Sequence, residues 1–234
     1  MRTASLWFGV QTVRRGYPLS KCPCETNENL GTIDDAVRTL IRSAPKERTV
    51  DELLRQIKVN FKVEIKRWDP KHKKYKMQRD PKTGKLSLWQ LHYSEDMSLD
   101  DLLTNGGRDL IHNASFMTGT QPAALTYYAV SHTSFTPAVT DTTLNGEESG
   151  TGLARHVCNG SVDGVTESFT HTAGGNTTVV VCGFKNSTAG AVTLYAYGNF
   201  NAASSGTLGT ESTFTSVTLQ INDILKLTVT LTLG

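Results

Sequence analysis

The chain has 234 residues, 38% of them hydrophobic and 20% charged, with a formal net charge of +2. That length can bury one large or two modest cores, and the balance of apolar and charged residues excludes an intrinsically disordered chain. No apolar run reaches the ~20 residues of a membrane span; the short patch Leu6-Trp7-Phe8 precedes Arg14 and Arg15, the reverse of a secretory signal, so synthesis in a cytoplasm is the expectation.

The charge is unevenly spread. Residues 46–92 carry 14 basic and 6 acidic side chains, whereas residues 115–234 carry 3 basic and 7 acidic ones. A contrast this large marks segments with different surroundings.

Residues 1–60 read as a helical docking segment. Thr32-Ile33-Asp34-Asp35 opens a helix with Ile33, Val37, Leu40 and Ile41 at helical spacing, closed by Pro45. Thr49-Val50-Asp51-Glu52 fits a capping box ahead of Leu53, Leu54 and Ile57. Helices this short persist only by docking on something else. Cys22-Pro23-Cys24 is too tightly spaced for a C-x₂-C metal knuckle.

Residues 61–97 read as a basic β-hairpin arm. Phe61, Val63 and Ile65 alternate with Lys62, Glu64 and Lys66, the period of a half-buried strand, and the run from Leu86 to Tyr93 offers a partner. Between them, Asp69-Pro70, Asp80-Pro81 and Thr83-Gly84 are turn signals. Residues 98–118 read as a connecting helix. It has a capped start at Ser98-Leu99-Asp100-Asp101, an interruption at Asn105-Gly106-Gly107 and a helix from about Gly107 to Ser115, since glycine costs about 1 kcal/mol per helical position.

Residues 119–234 change texture to Thr, Ser, Gly, Val and Ala. Strands are expected at 125–131, 153–162, 165–172, 177–184, 191–197, 208–214 and 224–233, the last alternating Leu225, Leu227, Val229, Leu231 and Leu233 with Lys226, Thr228, Thr230 and Thr232. The fold expected is mainly β: an antiparallel β-sandwich of about seven to eight strands, preceded by a smaller α+β region with the basic arm.

The common catalytic templates are missing: there is no G-x-S-x-G, no Walker loop, no H-E-x-x-H and no glycine-rich dinucleotide turn. The six histidines (72, 92, 112, 132, 156 and 171) are spaced without metal-cluster pattern, and Cys158 and Cys182 read as small core residues in strands. Asp141, Glu147 and Glu148 fall in a turn-rich loop, where acidic residues form turns more often than they catalyse. The Asn-x-Ser/Thr triplets at Asn113, Asn159, Asn176 and Asn186 read as coincidence in so Asn- and Thr-rich a chain. No enzyme activity, cofactor or metal is expected.

The arm is the candidate docking site, through Trp68, Lys71, Lys73, Lys74, Tyr75, Lys76 and Arg79, with Lys82 and Lys85 nearby. Lysines interleaved with aromatics suit phosphates and bases, but no nucleic-acid-binding motif accompanies them and the remainder of the chain is acidic. A protein partner is favoured over nucleic acid.

The segment from Asn105 to Gly234 resembles a family of small structural proteins of tailed bacteriophages. The pieces that carry the likeness are Asn105-Gly106-Gly107-Arg108-Asp109-Leu110-Ile111, the strand Leu125–Ser131 and Asp141-Thr142-Thr143-Leu144-Asn145-Gly146-Glu147. Gly152-Leu153-Ala154-Arg155, Phe200–Leu208 and the closing strand 224–233 complete it. The resemblance implies a virion component on a β-sandwich, serving as capsid decoration, neck or tail- or baseplate-associated protein. It implies homo-oligomeric assembly, docking on other virion proteins, and no catalytic residues. The alternative is a host-surface carbohydrate-binding or adhesion module, for which Tyr127, Tyr128, Phe135, Tyr195, Tyr197 and Phe200 are the available aromatic stock.

Overall fold

The computed structural model describes residues 56–81, 83–98, 102–116, 122–171 and 174–233. The helices expected before residue 56, Cys22 and Cys24, the capped start at residues 99–101 and Lys82 lie outside the described residues. In chain order the elements are β1 (Ile57–Lys66), β2 (Trp68–Asp69), β3 (Lys74–Tyr75), β4 (Gln78–Arg79), β5 (Leu86–Ser87), β6 (Gln90–Ser98) and helix α1 (Asn105–Phe116). There follow β7 (Tyr127–Ser131), β8 (His156–Val157), β9 (Ser161–Val162), β10 (Val165–Thr166) and β11 (Ser168–His171). The long strands β12 (Thr177–Lys185), β13 (Val192–Phe200), β14 (Leu208–Leu219) and β15 (Ile224–Leu233) complete the chain.

The fold is mainly β and its sheets are antiparallel, as the alternating pattern requires. One sheet runs β11-β12-β15-β1-β6 and another β14-β13-β7-β8. The register shows why alternation was informative. Phe61, Val63 and Ile65 of β1 stand opposite Val229, Leu227 and Leu225 of β15, and these in turn stand opposite Val180, Cys182 and Phe184 of β12. Side chains at every second position therefore form one apolar face three strands wide. The threonines of β15 fall on its other, half-buried face.

The second sheet supplies the opposite wall of the same core: Leu194, Tyr197, Phe214, Val217 and Leu219 cluster with the β1, β12 and β15 residues. Phe61, wholly buried, is the centre, with its ring 4.5 Å from Tyr197 and 6.0 Å from Phe214. Aromatic pairs at such separations add ~0.5–1.5 kcal/mol beyond the burial of their area.

Several boundaries differ from the sequence reading: the strand expected at 153–162 is broken into β8 and β9, and β14 runs on to Leu219. β1 begins at Ile57, which helical spacing had placed on a helix, and β1 and β6 are strands of the same sheet as β15. The arm is thus not residues 61–97 as a separate unit; only residues 67–89 leave the sheet, and the C-terminal strand is paired along the whole of β1. Pairing over ten residues that buries an apolar face outweighs the sequence's change of texture, which reflects surface chemistry. The glycines at 106 and 107 do not interrupt the helix either: α1 runs Asn105–Phe116 through both. Thr104 caps it, its Oγ1 accepting from Gly107 N at 3.1 Å. A Cβ on Gly107 would sit 2.0 Å from the Gly209 carbonyl oxygen. Glycine is there to let the first turn of α1 touch β14, a tertiary reason that outranks helix propensity.

Candidate docking surface and a buried ligand cluster

The arm is built as two short ladders. Trp68 and Asp69 pair with Tyr75 and Lys74, and Gln78 and Arg79 pair with Ser87 and Leu86. Pro70 and the residues after it close the first turn, where Lys73 takes a φ of 50° and Asp69 Oδ1 accepts from the Lys71 and His72 amides. The Asp69 carboxyl is held below its ordinary value by its hydrogen bond to the His72 ring.

Its aromatics face inward. The Trp68 and Tyr75 rings meet edge to face at 5.0 Å. Tyr75 OH donates to Asp163 Oδ2 at 2.9 Å, and Trp68 N donates to Asp223 Oδ1 at 2.7 Å. Lys66, buried, donates to the Asp163 carbonyl at 2.7 Å and lies 3.9 Å from the Tyr75 ring centroid; burial lowers its pKa. Trp89 covers Lys66 and Lys226 together, 5.5 and 4.7 Å from its ring. Lys226 also pairs with Glu64 at 2.6 Å.

Two acids anchor this arrangement, and neither stood out in the sequence. Asp223, 1% exposed, accepts from Arg67 Nη1 at 2.8 Å, from Trp68 N and from Gln220 N at 2.9 Å. Asp163 sits with Gly164 in the two-residue turn between β9 and β10, both at positive φ. Lys185 Nζ at 2.6 Å and Tyr75 hold its carboxyl below the ordinary value. The Asp163-Gly164 dipeptide between two valines is a hairpin signal that could have located it.

Of the seven residues singled out for docking, Trp68 and Tyr75 are therefore engaged in fixing the arm. Lys71, Lys73, Lys74, Lys76 and Arg79 are exposed. None of the four lysines is ion-paired with another described residue, and Arg79 Nη1 donates to the Gly84 carbonyl at 2.7 Å. The arm and the start of β6 also expose large apolar side chains: Met77 55%, Leu86 60%, Leu88 39% and Leu91 47%. A cleft of about 520 Å³ lined by Arg67, Trp68, Lys76, Met77, Gln220 and Asp223 runs under the arm.

The other singled-out residues are distributed. Glu147 pairs with Arg155 through both guanidinium nitrogens facing it, Glu148 lies 3.0 Å from His132, and Asp141 accepts from Ala138 N. Of the six aromatics considered for sugar binding, Tyr128, Tyr197 and Phe200 are buried, and Tyr127 and Phe135 pack on a second small core. Asn186 is wholly buried and donates to the Gly190 and Leu219 carbonyls, so its Asn-x-Thr triplet is closed to modification.

The histidines do not all stand apart from other ligand-type side chains: the chelating atoms of His156, Cys158, Glu167 and Cys182 lie within 4.8 Å of one another. Cys158 and Cys182 are joined as a disulfide with Cα atoms 5.1 Å apart, a separation ordinary for one. Strand-like spacing revealed neither contact, because the partners come from three places in the chain: His156 with Cys158, Glu167 and Cys182. Glu167, 6% exposed, accepts from His156 Nε2 at 2.8 Å, Gly183 N at 3.0 Å and Gly160 N at 3.1 Å. The hydrogen bond that His156 makes to the Glu167 carboxylate raises the pKa of its ring.

No helix of the described residues is long and apolar enough to cross a membrane. No protein-family model and no curated protein matches the chain.

Proposed function

We propose that the chain is a structural component of a tailed-bacteriophage particle, in the capsid decoration, neck or tail, that works by oligomeric assembly and by docking the arm on another virion protein. The observation that carries this reading is the arm itself. Its aromatics are fixed from behind by Asp163 and Asp223, while its lysines, without an ion pair among the described residues, and its large apolar side chains are exposed. Exposed apolar side chains beside one sign of charge are the makings of a protein interface. The partner surface that fits is acidic with an apolar centre. The carbohydrate-binding alternative loses half of its aromatic stock to the core.

The test replaces Lys71, Lys73, Lys74 and Lys76 by glutamate and measures incorporation into purified particles by quantitative mass spectrometry, with near-ultraviolet circular dichroism as the check of fold. Loss of incorporation from a folded variant supports the docking arm, and normal incorporation overturns it. If wild-type chain is absent from particles and instead binds duplex DNA through the same lysines, the virion reading is withdrawn.

A further inference from the structure

We infer that the reduced chain holds a structural zinc ion through His156 Nε2, the thiolates of Cys158 and Cys182, and the Glu167 carboxylate, in a state that excludes the Cys158–Cys182 disulfide.

The ligand chemistry is complete for zinc: two sulfurs, one imidazole and one carboxylate match the four-coordinate, N/S-rich sites that zinc prefers. With all chelating atoms within 4.8 Å of one another, closing on an ion at ~2.0–2.3 Å requires movements of only about an ångström. Three of the four residues are buried and His156 is half-buried, which suits a closed structural site with no open coordination position.

The outer hydrogen bonds are already those of a metal site. His156 Nδ1 lies 3.0 Å from the Ala154 carbonyl oxygen, which can only accept. That nitrogen therefore carries a proton, and Nε2 faces the Glu167 carboxylate at 2.8 Å, donating to it while the imidazole is doubly protonated and open to a metal once that proton leaves. A backbone carbonyl on the far nitrogen is the usual orienting partner of a metal-bound histidine, and the Ala154 carbonyl holds that place here. Glu167 is likewise oriented, by the Gly183 and Gly160 amides. A disulfide needs neither the imidazole nor the carboxylate; zinc uses all four groups.

The site also has an entrance and a structural purpose. His156 lines an open cleft of about 470 Å³ with Arg155, Asp163 and Lys185. β8 belongs to the sheet of β13 and β14, and β12 to the sheet of β1 and β15, so an ion here staples the two sheets just as the disulfide does. Binding converts two thiols and one Zn²⁺ into a dithiolate complex, releasing two protons from the sulfurs and a third from His156 Nε2 where the imidazole is doubly protonated; no electron transfer is involved. Oxidation of the empty dithiol to the disulfide, by an oxidant such as molecular oxygen, removes the site.

The experiment uses the full chain, purified without oxygen in a non-thiol reductant, and measures zinc by elemental analysis after desalting. Cobalt(II) substitution then reports the ligands. One equivalent of zinc, and a thiolate-to-cobalt charge-transfer band with tetrahedral d–d absorption, are expected. Cys158→Ser and Cys182→Ser should abolish the band, and His156→Asn and Glu167→Gln should weaken affinity roughly tenfold or more. Should a variant fail to fold, the wild-type chain decides: zinc must protect both thiols from alkylation, and a chelator must expose them. Reduced wild-type chain that takes up no zinc, or thiols alkylated equally with and without it, overturns the assignment.

Discussion

Asp223 is where the arm is bolted to the body, and its removal gives the most direct check of how the arm is held. Asp223→Ala deletes the acceptor of three hydrogen bonds, from Arg67 Nη1, Trp68 N and Gln220 N. The carboxylate is 1% exposed, while the Arg67 side chain is 31% exposed and can recover water. A bond to a charged group contributes ~1.5–3 kcal/mol, and leaving buried donors unmade costs ~1–3 kcal/mol. Since the guanidinium can resolvate, about 3 kcal/mol of net destabilisation is expected, the lower end of what breaking a buried pair costs. For a chain of this size that lowers Tm by about 6–12 °C. Urea unfolding followed by tryptophan fluorescence measures the change, and limited proteolysis should show new cleavage within residues 67–89. Arg67→Ala should lose only about 1 kcal/mol, since Asp223 keeps its two backbone donors. A loss below about 1 kcal/mol for Asp223→Ala at unchanged m-value would refute the clamp.

Two further substitutions probe the remaining features. Burial, and then the hydrogen bond and charge of Asp141, push the Glu211 carboxyl up from 4.5 to about 8, and its Oε2 has no hydrogen-bond partner among the described residues. Because the folded chain holds this proton more tightly than the unfolded one, its stabilising contribution is fully present below pH 4.5 and is lost as the pH rises through about 8. The shift corresponds to at most ~5 kcal/mol. Glu211→Gln should therefore flatten the stability profile between pH 5 and 9, and a variant as pH-sensitive as wild type would remove Glu211 from the account. Gly107→Ala should cost ~1–3 kcal/mol despite alanine's better helix propensity, because its Cβ meets the Gly209 carbonyl; a rise in Tm would show that α1 does not need the close approach.

The sequence by itself located the long strands, but not the run expected at residues 153–162, of which only β8 and β9 are strand. Period-two alternation in β1 and β15, where every apolar residue from Phe61 to Ile65 and from Leu225 to Val229 is buried, follows from pleat geometry and needs no knowledge of the partner. The exposure of the arm's lysines was legible for a similar reason, since ammonium groups are costly to bury unpaired. Lys66 shows the limit: it has the same side chain at the end of β1, yet it is buried because the Asp163 carbonyl and the Tyr75 ring compensate it. Tertiary structure alone decided that the N-terminal strand closes against the C-terminal one and that two helix-breaking glycines belong inside α1. It likewise decided that Trp68 and Tyr75 face inward and that His156, Cys158, Glu167 and Cys182 converge. Each of these depends on which backbone lies opposite, and local periodicity reports the facing direction of a residue but not the identity of its neighbour.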